Sequence, residues 1–263
     1  MFTDHFHMTA LPFCESIPAD RILRDERITQ GLARLEYLTA AGTLALITGP
    51  TGVGKSSLLK LFLASLNRHR YQPLYIYLTH VRPSGLLRLI VSALGETPIS
   101  GKEQLFLQIL QKARHSELTT LLVLDEAHLI APEALTDLRL LISSVLDDGP
   151  PLKIVLSAQE SLRDQLQRSH YADLVHRISV RYQIPPMSRA QTAAYIDHHL
   201  TRVGASERIF EVEAKGLIHD YAGGLPRQVN NLATACLINA AARHLQKVSE
   251  PLVNDTMAEF QLP

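Results

Sequence analysis

Residues 49–57 read GPTGVGKSS, and no other short stretch restricts this chain as strongly. They match G-x-x-x-x-G-K-[ST], a loop whose backbone N–H groups converge on phosphate oxygens. Gly49, Gly52 and Gly54 permit the tight, partly left-handed path that aims several N–H groups at one anion. The nucleotide-contacting stretch is Gly49, Pro50, Thr51, Gly52, Val53, Gly54, Lys55, Ser56 and Ser57. Lys55 reaches the β- and γ-phosphates, and the Ser56 hydroxyl ligates Mg²⁺. The flanks fit this reading. TLALIT, residues 43–48, is an apolar run of strand length, while Leu58, Leu59, Phe62, Leu63 and Leu66 recur at helical spacing. Strand, loop and helix in that order point the positive end of the helix at the phosphates.

A second segment completes the site. LLVLDEAH, residues 121–128, is an apolar strand ending in two acids. Asp125 can hold Mg²⁺ through water, as a Walker B aspartate does, and Glu126 is placed to polarise the water that attacks the γ-phosphate. The expected cofactors are therefore ATP and Mg²⁺, and the expected activity is ATP hydrolysis.

A chain of 263 residues accommodates one α/β domain with a small appendage. Its 26 basic and 26 acidic residues balance, so any nucleic-acid contact must come from a local patch rather than bulk charge. Cys14 and Cys236 stand in neither a CxxC nor a zinc spacing and read as small apolar residues. The first residues lack the basic-then-apolar pattern of a signal peptide, and no apolar run approaches the ~20 residues that span a bilayer. The expectation is a cytoplasmic protein without membrane contact.

Strand candidates at 43–48, 74–78, 120–124, 153–157 and 178–184 alternate with helical patterns near 56–69, 84–94, 102–115, 133–146 and 159–168. That alternation predicts a parallel sheet covered on both faces. Pro185-Pro186 ends the last strand. Ser188 with Gln191 forms a capping box opening a helix to about Val203, followed by helices at about 211–222, 226–245 and 250–260. The expected division is an α/β nucleotide-binding domain at 1–186, N-terminal extension included, and an all-helical lid at 187–263.

From here the chain resembles the AAA+ ATPases, through KIVLSAQES (153–161), DLVHRISVRY (173–182) and GGLPRQVNNL (223–232). The resemblance implies the AAA+ P-loop fold, with a five-stranded parallel sheet of order 5-1-4-3-2 between helices and a C-terminal helical lid. It also implies a γ-phosphate sensor at the tip of the 153–157 strand, Gln159 first and Ser157 second. Arg177, with Arg181 in reserve, takes the place of the finger that reaches a neighbouring subunit's nucleotide; arginine's planar, permanently charged fork suits a transferring phosphoryl group. Arg227, at the start of the third lid helix, takes the place of the second sensor.

The N-terminal pattern, Phe6 to Pro12-Phe13 and then a helix into the phosphate loop, is similar to the ExeA/GspA-type AAA+ ATPases. Phe13 and Leu11 would then line the adenine pocket, although packing into an apolar core accounts for them equally. ExeA-type proteins continue into a membrane span and a wall-binding region, whereas this sequence ends at Pro263. Its size and layout are closer to the ATPases encoded beside transposases, of the TnsC, TniB and MuB kind. That resemblance implies ATP-dependent assembly on double-stranded DNA as a ring or helical filament, target selection, and activation of a transposase. Arg82 and Lys102, in the loop-like stretches 79–85 and 95–104, would contact phosphates, with Ser84 as a helix cap or further donor. The alternative is an ATPase assisting secretion-system or membrane-complex assembly. A stand-alone metabolic enzyme is disfavoured because no second substrate motif is visible.

Overall fold

The computed structural model describes residues 1–14, 17–79, 83–143 and 152–260. In chain order, α1 (Phe2–His5), α2 (Glu26–Ala40) and β1 (Leu44–Thr48) lead into the phosphate loop, and α3 (Lys55–Ser65) follows it. Next come β2 (Tyr71–Tyr77), α4 (Pro83–Ala93), α5 (Lys102–His115), β3 (Thr119–Asp125) and α6 (Pro132–Ser143). They are followed by β4 (Lys153–Ala158), α7 (Glu160–Leu166), α8 (Ala172–His176) and β5 (Ile178–Gln183). The remaining helices are α9 (Arg189–Arg202), α10 (Val212–Ala222), α11 (Pro226–Ala242) and α12 (Glu250–Phe260).

The described residues form two compact units, one of Glu26–Thr51 with Lys55–Ile184, the other of Met1–Asp25, Gly52–Gly54 and Pro185–Pro263. In the first, the strands pair in parallel in the order β2-β3-β4-β1-β5, the expected order read from the other edge. Burial follows position in the sheet. The central strands LALIT and KIVLSA are buried at every residue, as strands covered on both faces must be, whereas edge strand β5 alternates. One face packs Leu46, Leu124, Ile154 and Leu156 against Leu86, Leu87 and Ile90 of α4, Ile109 of α5 and Leu138 of α6. On the other, α2 and α3 approach so closely that a Cβ on Gly31 would lie 2.6 Å from Leu58 Cδ2. Lys153, at the start of β4, is buried; its ammonium donates to the carbonyls of Leu38 (2.9 Å) and Gly42 (2.6 Å), closing the C-terminal end of α2. That burial lowers the lysine's pKa.

The second unit is helical. Ser188 Oγ accepts the Gln191 N–H while Gln191 Oε1 accepts the Ser188 N–H, so the expected capping box opens α9. At the turn before α11, Gly224 (φ 70°) passes so near Met187 that a Cβ there would lie 2.2 Å from the Met187 carbonyl oxygen. Pro226 then supplies the fixed φ of the first helical turn. Phe6, Met8 and Phe13 enter the apolar core of these helices beside Leu200, Phe210, Leu232 and Leu237. The N-terminal segment, expected with the α/β domain, therefore groups with the helices. Its tie is polar as well: buried His199 and half-buried Arg202 of α9 both bond the Pro12 carbonyl, at 2.9 Å each. Cys236 lies in the same core, where burial pushes its thiol up to about 12. Among the described residues no helix is long and apolar enough to cross a membrane.

Candidate nucleotide site

The site forms where β1, β3 and β4 end, at the C-terminal edge of the parallel sheet, where open α/β sheets place their ligands. The chain leaves β1 through a loop whose Gly52 (φ 80°) and Gly54 (φ 114°) occupy backbone that L side chains disfavour. At Gly52 a Cβ would also lie 2.7 Å from the Cβ of Arg227, whose N–H donates to the Gly52 carbonyl at 3.3 Å. The loop runs into α3, and Lys55 at its start is buried, its ammonium donating to the carbonyls of Gly49 (2.8 Å) and Pro50 (3.0 Å). Val53 is fully buried, whereas Thr51 and Ser56 are exposed.

Asp125, at the end of β3, is 1% exposed and both its oxygens are engaged. Oδ1 accepts the Ser157 hydroxyl at 2.7 Å and the Glu126 N–H at 3.0 Å. Oδ2 accepts the Tyr75 hydroxyl at 2.7 Å and the Ser56 hydroxyl at 3.3 Å. Burial first, and the neighbouring carboxylate second, hold the Tyr75 hydroxyl above the ordinary phenol range, so it remains a donor. Glu126 sits in the left-handed region (φ 58°, ψ 36°), an uncommon conformation for a side chain of its size. The Nδ1 of His128 lies 3.4 Å from Glu126 Oε2 but is not aligned for a hydrogen bond, and is buried without one.

These residues fit a magnesium–triphosphate group. Glycines carry the backbone where L side chains are disfavoured, the Lys55 ammonium folds back onto the loop from the start of α3, and a hydroxyl and a carboxylate offer the hard oxygen donors Mg²⁺ prefers. Lys55 would bind phosphate oxygens, with Ser56 and Asp125 holding the cation directly and through water. When bound, Mg²⁺ supplies charge neutralisation on the phosphates. Glu126, next to Asp125, would be the carboxylate to orient an attacking water and take its proton.

Other expected residues fall as follows. Ser157 is wholly buried against Asp125, while Gln159 lies just past β4 as the residue before α7, half-buried. Arg177 ends α8, exposed, and lines an open hollow of about 410 Å³ with His176 and the ion-paired Arg139 and Asp173. Arg181 is committed to the Val175 carbonyl (2.7 Å), where it caps α8. The Phe13 ring packs on His199 and Phe210, and Leu11 is exposed. Lys102 pairs with buried Asp137 at 2.8 Å, and Asp137 Oδ2 has no hydrogen-bond partner among the described residues. Ser84 is exposed inside the first turn of α4 rather than before it, because the helix starts at Pro83. Arg82 lies outside the described residues. Tyr75 belongs to none of the nucleotide-binding motifs. Its signal was present: in LYIYL the alternation puts Tyr75 and Tyr77 on one strand face, and Tyr77 pairs with Asp125.

Residues 39–166 match the family described as AAA domain. General secretion pathway protein A of Aeromonas hydrophila is 29% identical over 255 residues, covering 94% of this chain and 46% of the relative. The chain thus spans about half the length of the curated relative it matches. Among solved structures, Cdc6p from Pyrobaculum aerophilum superposes with a TM-score of 0.75 at 17% identity, covering 94% of this chain and 70% of that one. Aeropyrum pernix ORC1 in complex with DNA gives 0.68 at 17% identity over 91% and 66% of the two chains. Thermotoga maritima RuvB, a Holliday junction branch migration motor, gives 0.64 at 16% identity over 97% and 74%. At such identities these structures speak for the fold. Together they give an AAA domain at residues 39–166, a fold shared with those structures, and a likeness to general secretion pathway protein A along most of the chain.

Proposed function

We propose that this chain is an ATP-driven switch that assembles as a homo-oligomer on double-stranded DNA and regulates transposition, selecting the target and activating a transposase. The observation that carries the reading is the Walker pair: Lys55, Ser56, Asp125 and Glu126 stand in one unit, with the Lys55 ammonium on the phosphate loop and Ser56 and the Glu126 N–H both bonded to Asp125. In this reading Lys55 neutralises phosphate charge and Glu126 activates water. Gln159 or Ser157 senses the γ-phosphate, Arg227 acts as a second sensor, and Arg177 reaches the nucleotide of a neighbouring subunit. DNA as the surface of assembly is supported by two fold relatives, ORC1 solved with DNA and RuvB described as a branch migration motor.

A second reading rests on one observation, the likeness to general secretion pathway protein A along 94% of this chain. It makes the chain an ATPase that assists assembly of a secretion or membrane complex.

One experiment separates them. With ATP or a slow analogue, the protein is expected to form oligomers on duplex DNA of arbitrary sequence, and with ADP to release them. Because the chain carries no net charge, each subunit neutralises few phosphates, so binding should be cooperative and fall steeply with salt. Arg82→Ala should weaken it alike on all sequences and lower the salt slope by about 1. Lys102→Ala should do less, since Asp137 already holds that ammonium. Filter binding and electron microscopy with each nucleotide read the result. No ATP-dependent complex at low salt would leave the secretion reading standing.

A further inference from the structure

The four acceptor positions of the Asp125 carboxylate are unequal. Ser157 and the Glu126 N–H close Oδ1 at 2.7 and 3.0 Å. On Oδ2 the Tyr75 hydroxyl sits at 2.7 Å, while Ser56, at 3.3 Å, makes the longest and weakest bond of the set. A carboxylate oxygen accepts two such bonds, so Ser56 occupies the one position readily surrendered. Ser56 is also the hydroxyl whose oxygen turns to a cation in a loop of this type.

We propose that Tyr75 is a positioning residue for the cation site: its hydroxyl locks the Asp125 carboxylate so that the remaining position on Oδ2 faces Ser56, where a water of a hydrated divalent cation is received. The role rests on the reading of Ser56 and Asp125 as magnesium-holding groups. Ser157 and Tyr75 grip opposite oxygens of one carboxylate and so fix its rotation about the Cβ–Cγ bond. Without Tyr75, Oδ2 keeps only the long Ser56 bond, and the carboxylate is free to turn when that bond is given up. Metal sites depend on such outer partners for the orientation of their ligands.

The chain supplies its own control. Tyr77 points to the same strand face two residues on, is more exposed than Tyr75 (62% against 46%), and its hydroxyl makes no hydrogen bond among the described residues. Tyr75→Phe and Tyr77→Phe each remove one oxygen at the sheet edge, and only the first removes a bond to Asp125.

The test uses the full chain and a fluorescent ATP analogue, first in EDTA and then across a Mg²⁺ titration, with Mn²⁺ binding followed by electron paramagnetic resonance. Tyr75→Phe is expected to bind the analogue like wild type in EDTA. Its Mg²⁺ midpoint should rise about tenfold, and its Mn²⁺ affinity in the nucleotide complex should fall by a similar factor. Tyr77→Phe should change neither. An unchanged Mg²⁺ midpoint in Tyr75→Phe overturns the role. So does equal weakening in EDTA accompanied by a lower melting temperature, the mark of a residue that serves only the fold. If wild-type binding itself ignores Mg²⁺, the magnesium reading of Ser56 and Asp125 falls, and the Tyr75 role with it.

Discussion

Glu126 is one of few non-glycine residues at positive φ among the described residues, and it stands directly beside the buried carboxylate that would hold the cation. Such a conformation costs about 1–3 kcal/mol and persists where surrounding contacts over-determine it; here the Glu126 N–H is held by Asp125 Oδ1. The left-handed backbone at Glu126 ends the alternation of β3 directly after Asp125. Glu126→Gln keeps the shape and removes the proton acceptor, so nucleotide binding should survive while turnover falls by about a hundredfold or more. Lys55→Ala should instead abolish binding. Equilibrium binding and single-turnover hydrolysis distinguish the two, and a glutamine variant with normal turnover would remove Glu126 from the mechanism. These residues were legible in the sequence because each lies within one short motif whose spacing fixes its geometry. Tyr75 and Ser157 were harder to place, being 50 and 32 residues from Asp125 in the chain and joined to it by strand register.

Among elements, the link between α9 and the N-terminal segment depends on protonation. The His199 ring donates Nδ1–H to the Pro12 carbonyl and is packed by Phe13, Tyr195 and His198. Burial, with smaller contributions from Arg202 and His198, lowers its pKa to about 4. The unfolded chain binds a proton near pH 6.5, before the folded one does, so stability is full above that pH and is lost as pH falls toward 4. By pH 5 the loss should be about 2 kcal/mol. Thermal unfolding from pH 7 to pH 4.5 should show this slope, and His199→Gln should flatten it. An unchanged slope in that variant would assign the pH dependence to other groups. Helices and buried strands were readable from their periodicity. Edges were less so: β2 begins at Tyr71 rather than residue 74, because Tyr71–Pro73 pair with Thr119–Leu121. The company kept by residues 1–25 could not be read locally, since Phe6 and Phe13 show only that they are apolar, not which core they join.

For the whole molecule, the proposed homo-oligomer turns on what one subunit would lend another. Arg177 is exposed and makes no hydrogen bond or ion pair through its side chain among the described residues, whereas Arg181 is spent on the Val175 carbonyl. Arg177→Ala should therefore bind ATP nearly normally yet lose hydrolysis in the assembly. Mixing it with Lys55→Ala should restore part of the turnover, because each variant supplies the group the other lacks. Intact activity in the single variant would exclude the finger role. The sheet order was legible only through resemblance, for local sequence does not say that Leu44 lies beside both Ile154 and Ile178. That pairing has a consequence for how the protein is made. β1 leaves the ribosome about 110 residues before either neighbour, which at cellular rates of synthesis is a wait of roughly 5–20 s. During it, a strand that is buried at every residue in the fold has no partner in its own chain. Phe6, Met8 and Phe13 wait longer still, for helices that are the last part of this sequence to be translated. Chaperone demand on nascent chains of this topology should therefore track the speed of translation between β1 and β4, which pulse-chase association with a ribosome-bound chaperone would measure.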